Sequence, residues 1–138
     1  MIKKITFALI LLCTIACSQK NNGIKTGTFE IYENDSLVGK IYRLGNYQIE
    51  KYPEGNELIA RIDHKTDSTY FLRGIEKVQK RVDSIVWLNK YWKIGTDKYG
   101  VLAIPSNSNI DYKYEAVLRK VSEKIETDYL VKLNSLNE

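Results

Sequence analysis

The 138-residue chain has two prolines, two cysteines, one methionine and one histidine, and each scarcity excludes something. So little proline, in a chain that is 43% hydrophobic and 28% charged, excludes collagen-like, low-complexity and disordered classes and fits one soluble globular domain. No apolar run approaches the roughly 20 residues that a membrane-spanning helix needs, so a polytopic membrane protein is excluded. Glycine-rich phosphate loops, paired cysteines, HExxH and a GxSxG elbow are all missing, and with them the common signatures of nucleotide, zinc and serine-nucleophile chemistry. No cofactor or metal site is expected. What the chain has in quantity is aromatic: ten tyrosines and two tryptophans.

The N-terminus reads as an export signal. Lys3 and Lys4 form a short basic start, and Ile5 through Ile15 carry no charge, the proportions of the n- and h-regions of a secretory signal over 1–16. Thr14-Ile15-Ala16-Cys17 resembles a bacterial lipoprotein processing site, in which the cysteine receives a diacylglyceryl group and becomes residue one. Thr14 departs from the large aliphatic residue usual at that place, and small Thr14 and Ala16 would also suit ordinary signal peptidase. The polar stretch after Cys17, Ser18 to Gly23, suits a tether, so 17–26 is expected to be a lipidated cysteine and flexible linker. Several acyl chains, palmitate among them, hold a protein durably on a bilayer. Ser18, rather than Asp, after the cysteine favours the outer membrane by analogy with enteric sorting. Losing 1–16 also removes Lys3, Lys4 and Cys13, which leaves 19 basic against 17 acidic side chains. A net charge of +2 is no nucleic-acid signature. With Cys17 lipidated there is no disulfide, so the domain must be held by packing.

From Gly27 onward, alternation of period two dominates. It marks runs at Thr28–Tyr32, Tyr47–Tyr52, Leu58–Asp63, Tyr112–Arg119 and Ile125–Leu133. Between apolar runs lie Asn34-Asp35, Gly45-Asn46, Pro53-Glu54-Gly55-Asn56, Lys65-Thr66-Asp67, Gly95-Thr96-Asp97 and Pro105-Ser106-Asn107, all turn chemistry. These connections are too short for crossover helices, so neighbouring strands are antiparallel. The expectation for 27–138 is one all-β domain: an antiparallel meander of eight to ten strands, closed or nearly closed into a small lipocalin-like barrel. Ile75, Val78 and Val82 are at helical spacing, so 74–83 admits strand or helix. For Glu115–Thr127 the strand former content favours strand.

Candidate site residues are mostly aromatic. Trp87, Tyr91 and Trp92 cluster in sequence, and Tyr112 and Tyr114 share one face of an expected strand; rings with polar tips suit a lined cavity or a binding surface, and equally a β core. Tyr129 and Val131 are the other residues expected to fill or line a barrel interior. Arg43, Glu50, Arg61 and Arg73 lie in β-prone runs. Facing solvent, they would pair across strands; facing inward, one of them could hold an anionic ligand. His64, in Asp63-His64-Lys65-Thr66-Asp67-Ser68, reads as an exposed histidine in a polar hairpin turn, since one imidazole beside two carboxylates lacks the supporting shell of an ordered metal site.

Lys25-Thr26-Gly27-Thr28-Phe29, then Ile49-Glu50, then Ile85-Val86-Trp87-Leu88-Asn89 with Tyr91, resemble a group of small uncharacterised lipoproteins of Bacteroidetes-type bacteria. These begin with a short signal and a cysteine and continue through a KTGTF-like strand and a tryptophan–asparagine segment. Here Lys90 replaces the acidic residue or cysteine expected near that segment. The resemblance implies an envelope location and a β fold, and no reaction. Some relatives carry a topoisomerase IV label; this chain is too short for strand passage, and its export signal points to the wrong compartment for it. Two functions therefore stand as expectations: a non-enzymatic lipoprotein, anchored by Cys17 and binding an envelope protein or glycan, or a carrier whose barrel holds a small apolar ligand. An enzyme would need two carboxylates facing each other in a cleft, as in glycan hydrolysis.

Overall fold

The computed structural model describes residues 23–75 and 84–138. Residues 1–22, with the expected signal, Cys17 and most of the expected tether, lie outside the described residues. So do residues 76–83, most of the stretch that admits strand or helix.

Among the described residues, eight antiparallel strands run in sequence order around a closed barrel: β1 (Gly27–Glu33), β2 (Ser36–Leu44), β3 (Tyr47–Lys51), β4 (Glu57–Thr66), β5 (Thr69–Gly74), β6 (Val86–Gly95), β7 (Lys98–Pro105) and β8 (Tyr114–Ser122). One helix, α1 (Thr127–Asn137), follows. Closure comes from β1 pairing with β8, Ile31 opposite Leu118. The turn residues act as their chemistry dictates. Asn34 and Asp35 both take positive φ in the two-residue β1–β2 hairpin, the conformation that matches strand twist. Gly45 does so at the first position of the β2–β3 turn.

The strands' inner faces enclose one core, in which Phe29, Ile31, Ile41, Tyr99, Val101 and Leu118 pack with Ile24. Ile24 belongs to the expected tether, yet it is buried and its carbonyl accepts from Arg43. Gly23 likewise accepts from Lys120 Nζ at 2.8 Å. The last residues of that stretch are thus part of the domain and plug one end of the barrel.

A second core lies outside the barrel, where Tyr129 and Leu133 of α1 cover Tyr42 and Ile49. This overturns the strand expected at Ile125–Leu133. The apolar residues at 125, 129 and 133 fit a spacing of four as well as of two. The choice falls to the helix because the outer faces of β2 and β3 carry Tyr42, Leu44, Tyr47 and Ile49 and need a cover; tertiary packing decides where local propensity is ambivalent. Val131, which the strand reading would have placed inward, is 63% exposed. Ring stacking of Tyr42 on Tyr129, 4.0 Å between centroids, fixes the helix laterally. Tyr129 donates to Glu57 at 2.8 Å, and Asn137 donates to the Leu44 carbonyl at 3.0 Å and accepts from Asn46 N–H at 3.1 Å.

Gly27 is required by geometry. Its φ is +127°, and a Cβ there would stand 2.5 Å from the Ser122 carbonyl oxygen. Gly27→Ala should cost at least the roughly 1–3 kcal/mol of a strained backbone, whereas Gly74→Ala, with no atom within 4 Å of the new carbon, should be nearly neutral. Urea midpoints of the two variants check this.

Candidate ligand cavity

A cavity of about 320 Å³ opens at the end of the barrel away from Ile24. Its walls are aliphatic, from Ile31, Ile41, Leu72, Val101, Ala103 and Leu118, and its aromatic residues include Trp87, Tyr112 and Tyr114. Trp87 and Tyr112 meet edge to face at 6.0 Å.

Of the five aromatic candidates, the structure brings three together. Trp87, Tyr112 and Tyr114 line the cavity. Tyr112 does so from the segment before β8, since that strand begins only at Tyr114, so the two do not share a strand face. Tyr91 packs against the barrel core and Tyr70, and donates to the Asp67 carbonyl. Trp92 is 49% exposed and covers Gly100 on the outer surface. Tyr129 and Val131 belong to α1 and are outside the barrel altogether.

The charged strand residues divide. Arg61 and Arg73 are on the solvent face beside Asp63, at 3.3 and 3.8 Å. Arg43 and Glu50 face inward, against the solvent-facing expectation, with Gln48 and Tyr52 on the same wall. Period-two alternation in β3 had two solutions: Tyr47 and Ile49 inward, or Gln48 and Glu50 inward. The second is realised because α1 buries the apolar face from outside. Sequence reasoning missed Gln48, Tyr70 and Asn89 as cavity residues for the same reason in β3, and in β5 and β6 for want of any signal separating a cavity wall from a packed core.

These polar residues form a chain of hydrogen bonds. Arg43 is 0% exposed. Its Nε and one terminal nitrogen both donate to Gln48 Oε1, at 3.0 and 2.6 Å, and the other donates to the Ile24 carbonyl at 2.8 Å. The Tyr70 hydroxyl accepts at 3.3 Å. The guanidinium also lies over the Tyr70 and Phe29 rings, at 5.0 and 5.6 Å. Gln48, its oxygen so occupied, turns Nε2 to Glu50 Oε1 at 2.6 Å. The other oxygen of Glu50 accepts from Tyr52 at 2.5 Å. The Tyr52 ring reaches this position across Gly39, where a Cβ would crowd it at 3.2 Å. At the rim, Tyr114 donates to Glu33. Burial and the charge of Glu50 push the Tyr52 hydroxyl far up; burial and the bond to Glu33 do the same for Tyr114. Both phenols therefore stay protonated donors to their carboxylates.

His64 is exposed, but it lies on β4 itself rather than in a turn, with its ring 5.9 Å from Tyr70. Burial, then the charges of Arg43 and Lys25, hold its imidazole below the usual range. Among the described residues no three His, Cys, Asp or Glu side chains gather into a possible metal site.

Under α1, the Tyr129 hydrogen bond holds the Glu57 carboxyl below its ordinary value, with Lys132 adding to the effect. A carboxyl lowered on folding contributes stability that is full above its unfolded pKa and is lost as pH falls through the folded value. Acidification through the carboxylate range should therefore loosen α1, and Glu57→Gln should flatten that part of the urea midpoint against pH.

Compared with known proteins, the chain matches no protein-family model, no curated protein and no solved structure.

Proposed function

We propose that this chain is a carrier of a small, largely apolar ligand, tethered to the bacterial envelope through acylated Cys17. The observation that supports it is the cavity: about 320 Å³, open at one end, aliphatic along its walls and carrying a few ordered polar groups. Small-molecule sites have this character, and their volumes run from about 300 to 1,000 Å³. The carrier acts by binding, with no chemistry on its ligand. Glu33 and Glu50 are each engaged by a phenol, and their role in this reading is to fix rings and orient a guest. The other expectation, an anchored module that binds an envelope protein or glycan, has no comparable feature behind it among the described residues: Trp92, its most exposed aromatic candidate apart from Tyr112, is seated on Gly100.

Native mass spectrometry of residues 19–138, purified gently from periplasm, tests the carrier. A reproducible extra mass lost on denaturation supports it. A clean apo mass and no uptake of added amphiphiles would sink it and return the weight to a surface-binding module. The anchor has its own test. Cys17→Ala should move the protein from the membrane fraction to the soluble periplasm, and unchanged fractionation would refute acylation at Cys17.

A further inference from the structure

Two charged side chains line the cavity, Arg43 and Glu50, and they are not equally available. Arg43 is sealed, 0% exposed, and three of its donors go to Gln48 and the Ile24 carbonyl. It serves as the fixed end of the hydrogen-bonded chain. Glu50, at the other end, is only partly covered and lines the cavity. Both of its oxygens accept hydrogen bonds, and a carboxylate has lone pairs left after two such bonds.

A second acceptor lines the same cavity from β6. Asn89 is 4% exposed and lines the cavity. Its Nδ2 donates to the Trp87 carbonyl at 3.2 Å, which fixes the amide's orientation. Among the described residues none donates to its Oδ1. It is not among the sealed orphan atoms either, since Glu123 Oε2 is the one such atom among the described residues. The amide oxygen is therefore open to the cavity and lacks a protein donor among the described residues. A guest that brings an N–H there replaces cavity water as the donor to this oxygen. On the same strand face, Trp87 presents its ring with Tyr112 beside it, and aromatic faces attract cations.

We propose that the guest is an amphiphilic organic cation, an alkyl or aryl amine whose protonated nitrogen is received by Glu50 and Asn89 Oδ1 while its apolar body lies against the aliphatic wall. This rests on the carrier reading and names its ligand class. An acid of the same shape is disfavoured, because it would set its charge beside the Glu50 carboxylate while the Arg43 guanidinium is enclosed.

The test compares n-octylammonium, octanoate and octanol at neutral pH by calorimetric titration of the chain from residue 17 with Cys17→Ala. That chain contains every described residue and is first checked for one cooperative urea transition. Octylammonium should bind at least about tenfold more tightly than the other two. Glu50→Gln should bring it down to the level of the alcohol, and Asn89→Leu should weaken it several-fold, with octanol little changed. Asn89→Leu keeps the test decisive if Glu50→Gln fails to fold. Octanoate binding as tightly as the amine, or equal binding of all three, overturns the charge selection and leaves the carrier standing. If none of the probes binds, the carrier reading falls and this inference falls with it.

Discussion

Arg43→Met should remove about 3–5 kcal/mol of folding stability, the range found when one member of a buried charged network is deleted. The side chain is fully enclosed, and its loss strips a donor from Gln48 Oε1, the Ile24 carbonyl and the Tyr70 hydroxyl together. It also removes one bond that holds the N-terminal plug, leaving Lys120 on the Gly23 carbonyl and Ile24 in the core. Against a total stability of about 5–15 kcal/mol for an ordinary domain, such a loss is a third or more of the whole. The urea midpoint measures it. A double-mutant cycle with Gln48→Leu should show coupling of about 0.5–3 kcal/mol, since each single change breaks the same pair. Strict additivity would mean that the two side chains act independently, contrary to the bonds described.

Leu133→Ala should cost about 2–5 kcal/mol. Leu133 is 0% exposed and lies under α1 against the outer faces of β2 and β3. Val131→Ala is the internal control: at 63% exposure it should change stability by no more than about 0.5 kcal/mol. The pair also discriminates between helix and strand, because a strand would have placed positions 131 and 133 on one face and made both substitutions costly. Comparable losses at the two positions would contradict the helix.

The architecture was legible in the sequence to a considerable depth, for identifiable reasons. Short turns such as Asn34-Asp35 and Gly45-Asn46 separate alternating runs, and connections that short permit only antiparallel neighbours. The meander follows, and its eight strands fall within the expected eight to ten. Alternation does not say which face of a strand is inside when both faces are buried. That is the situation of β2 and β3, where Ile41 and Arg43 face the barrel interior and Tyr42 packs beneath α1. The polar side of the cavity was hidden by this ambiguity, and the helix that resolves it was itself read as a strand. The aromatic candidates fared according to parity. Trp87 proved to line the cavity, while Trp92, an odd number of residues along the same strand, points outward. Tyr91, at the correct parity, lies too far toward the plugged end and fills core instead.

The pairing of β1 with β8 has a consequence for association. A strand at the border of an open sheet exposes a row of amide and carbonyl groups to which an extended peptide, or another copy, can add. In this barrel every strand has two neighbours, so that mode of recognition is closed to it. Among the described residues, a macromolecule that engages the barrel wall meets side chains rather than the open border of a sheet, and copies crowded side by side find no such border to extend.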